Sequence, residues 1–189
     1  MSAPGPDVQR TLVLGGARSG KSAHAEGLVP ADGVDYLATS RPVPGDAEWS
    51  ARIAAHVARR PAAWRTIEAG DPEVLVAALR SASPGGPVLL VDDLATWLTG
   101  VLDDAGAWEA ADPESALAHV EQQCAALATA LAETAARVVL VSAEVGLGVV
   151  PATPAGRLFR DRLGALNARL AEHCESVLLL VAGVPLRLR

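Results

Sequence analysis

Eight consecutive residues, Gly15-Gly16-Ala17-Arg18-Ser19-Gly20-Lys21-Ser22, carry the plainest chemistry in this chain. In the spacing G-x-x-x-x-G-K-S the glycines let the backbone wrap until successive N–H groups point inward, and a following helix adds its positive N-terminal end. A phosphate group fits such a concavity. Lys21 supplies a mobile positive charge for β- and γ-phosphates, and the Ser22 hydroxyl is placed to ligate a Mg²⁺ that bridges them. The apolar run Thr11-Leu12-Val13-Leu14 reads as the strand that leads in. A Gly-rich stretch can serve only to turn the chain, but both glycines, the lysine and the serine in register after a strand favour nucleotide phosphate.

Two acidic positions belong to the same chemistry. Asp92 follows the apolar run Val88-Leu89-Leu90-Val91 and is assigned to hold the Mg²⁺ water shell; helix capping is the alternative use of an acid at a strand end. Glu144 follows Val138–Val141 and precedes Val145-Gly146-Leu147-Gly148, so it reaches a sheet edge where it could act as a base or in the metal shell. A third candidate is His56. Asp46–Arg60 reads as a helix ending at Pro61, with Trp49, Ile53 and Val57 as its apolar stripe and His56 on the stripe's border. Arg52, Arg59 and Arg60 surround this histidine, which disfavours the imidazolium and leaves a neutral nucleophile near pH 7. The plainer alternative is a border histidine facing the core, and spacing alone prefers it.

These residues need a frame. Runs at Thr11–Leu14, Val34–Ala38, Val88–Val91, Val138–Val141 and Val177–Val181 alternate with helical patterns, which predicts a mostly parallel sheet. Being uninterrupted rather than alternating, the runs suit strands covered by helices on both faces. Leu186–Arg189, after Gly183-Val184-Pro185, reads as an edge strand returning by a hairpin. The expected fold is therefore α/β, a P-loop NTPase (RecA-like) three-layer sandwich with a C-terminal edge hairpin. Leu117, Val120, Cys124, Leu127 and Leu131 form the packing stripe of a helix opening at Asp112-Pro113-Glu114. A second helix opens near Thr153-Pro154 with Phe159, Leu163, Leu166 and Leu170 on one stripe. Arg160 and Asn167 share another face, turned either to the nucleotide or to solvent.

With 189 residues and 50% hydrophobic content, one domain is expected over residues 11–189, after a flexible N-terminal tail at 1–10. The net charge of −6 argues against nucleic acid as the main partner. No apolar run approaches the roughly 20 residues of a membrane span, and the N-terminus lacks the build of a signal peptide, so a cytoplasmic protein is expected. Cys124 and Cys174 sit apart in helical patterns and read as buried free thiols.

The chain resembles the bifunctional adenosylcobinamide kinase/adenosylcobinamide-phosphate guanylyltransferase family of cobalamin biosynthesis, from Thr11 to Arg189. The residues that carry the resemblance are the loop Gly15–Ser22, Tyr36-Leu37-Ala38-Thr39-Ser40, Arg52-Ile53 with His56, and Arg60-Pro61 with Trp64, Thr66 and Glu68. Val91-Asp92, Glu144 to Pro151, Phe159-Arg160-Asp161 and Asn167 complete the set. The resemblance implies two reactions, with Mg²⁺ as cofactor and ATP or GTP as substrates. A terminal phosphate passes to the aminopropanol hydroxyl of adenosylcobinamide; GMP from GTP then joins that phosphate, giving adenosylcobinamide-GDP and pyrophosphate. It further implies that His56 carries GMP covalently, which reverses the preference drawn from spacing. Nucleotide contacts are implied at the phosphate loop, at Ala38, Thr39 and Ser40, at Val57, Ala58, Arg59 and Arg60, at Glu68 and at Asp92. A homo-oligomer, a trimer by resemblance, is also implied. The sequence departs from the family pattern in having Asp93 for a cysteine, Gly100 for an asparagine and Ala143 for an asparagine; none touches the loop or His56, and they bear on substrate-side contacts. A kinase without guanylyl transfer and a non-catalytic nucleotide-binding protein stay open. A GTP-driven switch is disfavoured by the lack of an Asn/Thr-Lys-x-Asp motif.

Overall fold

The computed structural model of the chain describes residues 8–41, 45, 51, 53–54, 57–58, 60–109 and 113–189. Seven strands form one sheet: β1 (Arg10–Gly15), β2 (Val34–Ala38), β3 (Arg65–Glu68), β4 (Val88–Asp92), β5 (Val138–Ala143), β6 (Ser176–Val181) and β7 (Val184–Arg187). Their order across the sheet is β3-β2-β4-β5-β1-β6-β7. Every pairing is parallel except the β6–β7 hairpin. Five helices have full descriptions: α1 (Lys21–Glu26), α2 (Pro72–Ser81), α3 (Leu94–Asp104), α4 (Pro113–Glu133) and α5 (Pro154–Glu172).

Alternate side chains of each strand enter separate cores, as the two-residue period of a strand requires. Leu12, Leu89, Val91, Val138 and Leu140 face α2 to α5, packing with Leu79, Leu98, Leu131 and Leu163. Val13, Tyr36, Leu90, Val139 and Val141 face the other way, against Ala25 of α1 with Leu28, Val29 and Trp64. The mostly parallel α/β sandwich expected from the sequence is what forms, with its two outer layers unequal among the described residues. Both cysteines are buried free thiols. Burial is the main cause pushing Cys124 up to about 11 and Cys174 up to about 12.

Two elements differ from expectation. β3 carries no apolar run: Arg65, Thr66 and Glu68 are exposed, and only Ile67 is half-buried. It is an edge strand defined by its backbone pairing to β2 and by the Arg65 ion pair with Asp35. The final hairpin turns earlier than Gly183-Val184-Pro185. Val181 pairs with Val184, so Ala182 and Gly183 form a two-residue turn with φ of 50° and 79°. Such turns need two residues in the left-handed region, and alanine gives little sign of adopting it.

Candidate active site

The phosphate loop runs from the end of β1 into α1 and packs against neighbours on both sides. Arg18 (φ 58°) and Gly20 (φ 87°) take left-handed conformations that curl the backbone inward. Gly15 has no alternative: a Cβ there would stand 2.3 Å from Ser19 Oγ and 3.1 Å from the Leu180 carbonyl oxygen. The Gly183 N–H of the β6–β7 turn donates to the Ser19 carbonyl (3.0 Å), so the last hairpin props the loop from behind. From the side of β5, the Glu144 N–H donates to the Gly15 carbonyl (3.1 Å).

β4 delivers the acidic pair, and its two members separate. The Asp93 side chain accepts from the Thr96 N–H (2.9 Å) and caps α3. Burial raises its carboxyl above the usual range, with the Asp92 charge adding to the effect. Asp92 instead reaches the loop. Its Oδ1 accepts from the Ser22 hydroxyl (3.0 Å) and its Oδ2 from the Tyr36 hydroxyl (2.6 Å). Burial and the Asp92 charge raise the Tyr36 phenol, so it stays a donor. Of the two acids at this strand end, Asp93 thus caps the helix, and Asp92 is the one that reaches the phosphate loop.

The donor set fits Mg²⁺. Ser22 and Asp92 offer hard oxygen ligands beside a phosphate cradle, and Mg²⁺ is usually held by one or two carboxylates together with substrate phosphates. Among the described residues no group of three or more His, Cys, Asp or Glu could hold a metal unaided. Nucleotide phosphates would have to complete the shell.

A cleft of about 740 Å³ opens over these groups. Gly16 to Ser22, Ala38, Ser40, Arg60 and Asp92 line it, so most of the expected nucleotide contacts meet there, together with Glu144. Others lie elsewhere. Thr39 is fully buried, its hydroxyl donating to the Asp93 carbonyl (2.7 Å) and bonded to Thr96 Oγ1 (2.6 Å). Val57, Ala58 and Glu68 are exposed and do not line the cleft. Gly15 lies beneath the loop. His56, Arg52 and Arg59 are outside the described residues, although Ile53 of the same segment is helical and lines the cleft. Asn167 faces neither nucleotide nor solvent. It is buried, accepts from the Ser142 hydroxyl (2.6 Å) and donates to the Ala143 carbonyl (3.1 Å), fixing the end of β5 beside Glu144. Its partner in the expected polar face, Arg160, pairs with the neighbouring Asp161. Tyr36, Thr96, Thr99 and Phe159 also line the cleft. Their apolar or helical contexts gave them no mark as site residues.

The family described as cobinamide kinase/cobinamide phosphate guanyltransferase matches residues 11–188. The chain belongs to that family. Its enzymes combine kinase and guanylyltransferase activities. A bifunctional adenosylcobalamin biosynthesis protein, CobP, of Pseudomonas aeruginosa is 45% identical over 182 residues, covering 95% of this chain and 97% of that one. The similarly named CobU proteins of Salmonella typhimurium and Escherichia coli are 39% and 36% identical, each covering 94% of this chain and 98% of theirs. No helix among the described residues is long and apolar enough to cross a membrane. One departure noted in the sequence has a structural counterpart. At Gly100, a Cβ would lie 3.2 Å from the Arg41 guanidinium carbon. Arg41 bonds Asp104 through two nitrogens (2.7 and 2.6 Å) and the Gly70 carbonyl through Nε (2.6 Å), so it lies across the bare helix surface.

Proposed function

We propose that this chain phosphorylates adenosylcobinamide with ATP or GTP and then guanylylates the product, giving adenosylcobinamide-GDP. Family membership over residues 11–188 supports the reaction class. The observation that carries the site is the meeting of Lys21, Ser22 and Asp92 in one cleft with Arg60 on its wall. Residues 11–189 act as one nucleotide-handling unit, preceded by the tail at 1–10. The enzyme works in the cytoplasm as a homo-oligomer, with a trimer as the form implied by resemblance. Exposed Val184, Leu186 and Leu188 along the β7 edge support burial of that edge.

In the kinase step the loop N–H groups and Lys21 hold the β- and γ-phosphates while the substrate hydroxyl attacks the γ-phosphorus, the bond to the β-phosphate oxygen breaks, nucleoside diphosphate leaves, and the hydroxyl proton is released to solvent. In the second step a neutral His56 imidazole nitrogen attacks the α-phosphorus of GTP, the bond to the β-phosphate oxygen breaks, and pyrophosphate leaves. A phosphate oxygen of adenosylcobinamide phosphate then attacks the same phosphorus and frees the histidine. Arg59 and Arg60 stand beside His56 in sequence and neutralise charge on the phosphates. Bound Mg²⁺ would supply charge neutralisation between the phosphates, held by Ser22 and Asp92.

Incubation with GTP labelled at the α-phosphate, Mg²⁺ and no corrinoid tests the reading. Acid-labile label is expected on wild type and absent from His56→Ala. Wild-type protein that phosphorylates cobinamide but takes up no label would reduce the assignment to a kinase.

A further inference from the structure

Tyr36 is a core residue by burial, 1% exposed, yet two side chains of the cleft, Arg60 and Asp92, converge on it together with Trp64. Its ring stacks with Trp64 (centroids 6.3 Å apart, planes at 24°). The Arg60 guanidinium carbon lies 3.7 Å from the ring centroid. Its hydroxyl holds Asp92 Oδ2 at 2.6 Å, while Ser22 holds Oδ1 at 3.0 Å. A carboxylate tied through one oxygen rotates within a broad torsional well, whereas one tied through both has its plane fixed. Arg60 is held lightly by comparison. Its Nη1 donates to Thr66 Oγ1 at 3.2 Å, and its Nε is buried without a hydrogen-bond partner among the described residues.

We propose that Tyr36 is a positioning residue for both halves of the nucleotide site: its phenol sets the plane of the metal carboxylate Asp92, and its ring sets the guanidinium of Arg60. The inference rests on the assignment of Ser22 and Asp92 to Mg²⁺. Partners that orient a metal's ligands typically change metal affinity 10- to 100-fold when removed. Cation–π contact holds a guanidinium over an aromatic ring whether or not the ring bears a hydroxyl. The two roles are therefore separable by substitution. Tyr36→Phe removes the bond to Asp92 and keeps the ring; Tyr36→Leu removes both.

GTP binding measured in EDTA and across a Mg²⁺ titration reads the two roles apart. For Tyr36→Phe, the Mg²⁺ concentration giving half of the metal's enhancement should rise about 10-fold, with GTP affinity in EDTA unchanged. Tyr36→Leu should lose affinity in EDTA as well. A Tyr36→Phe titration identical to wild type overturns the inference while leaving the metal assignment intact. Absence of any Mg²⁺ effect on wild type overturns the metal assignment and this inference with it.

A second measurement needs no substitution at Tyr36. The chain has one tyrosine, so biosynthetic 3-fluorotyrosine labels this position alone. Its ¹⁹F resonance should move on Asp92→Asn, and should move further with Mg²⁺ and GTP than with GTP in EDTA. A resonance indifferent to both changes overturns the inference.

Discussion

At the phosphate-loop end of the cleft the backbone does the holding, whereas at the Arg60 end a single side chain rests on an aromatic ring. The loop is braced by the Gly183 and Glu144 N–H groups, and Asp92 is fixed by two hydroxyls. Among the described residues the Arg60 side chain makes one hydrogen bond, of 3.2 Å, and its Nε has no partner. Preorganised groups act without rearranging when charge develops. A buried donor lacking a partner costs about 1–3 kcal/mol until something accepts from it. The backbone of the first end is braced before ligand arrives, and only the Ser19 hydroxyl there is buried without a partner among the described residues; at the second end it is the guanidinium itself that is left incomplete. An enzyme that must address two different phosphorus atoms of a nucleotide gains from such a division, since one anchor stays fixed while the other adapts.

That contrast can be broken in four places. Lys21→Ala should have the largest effect, lowering kcat/KM of the kinase step about 10³-fold, roughly 4 kcal/mol of transition-state stabilisation, with no change in melting temperature. Steady-state kinetics beside a thermal melt check it. Gly15→Ala should both destabilise the free protein by about 1–3 kcal/mol and weaken GTP, because the added methyl meets backbone and the Ser19 hydroxyl. Denaturant unfolding and GTP titration measure the two losses. Arg60→Lys keeps the charge and loses the planar stack, so GTP affinity should fall about fivefold, near 1 kcal/mol, while stability of the free protein holds. Unfolding as severe as that of Gly15→Ala would erase the distinction between the two ends. Ala182→Gly should have the smallest effect: relief of the left-handed alanine, about 1 kcal/mol, is partly offset by unfolded-state entropy, and the melting temperature should rise by about 1 °C. A fall in melting temperature would show that the alanine methyl contributes packing at the prop behind the loop.

Much of this architecture was legible because its signals are local. β1, β2, β4, β5 and β6 announce themselves as apolar runs buried on both faces. The phosphate loop is a contiguous spacing. Asp92 is recognisable once that loop is known. β3 was not legible, since Arg65-Thr66-Ile67-Glu68 buries little and forms through the backbone of β2. Tyr36 and Asp92 are 56 positions apart and meet through the register that sets Ala38 beside Asp92. From sequence, a tyrosine in an apolar strand is only a core residue. Asn167 misled in a related way: a lone polar residue on a helix suggests solvent or ligand, but here it clamps the end of a strand 25 positions earlier.

The placement of β1 governs the order in which the molecule can be assembled. Thr11 lies between Val139 and Ser176, so the strand that leads into the phosphate loop is synthesised before every other described strand and has no neighbour until much later. Pairings of such long separation are entropically slow to close. A nascent chain that has emerged only as far as α4 possesses the whole Gly15–Ser22 motif but lacks β5, β6 and the Gly183 N–H behind Ser19. Nucleotide therefore cannot seed folding from the ribosome outward; the motif written earliest is among the last to become a binding site.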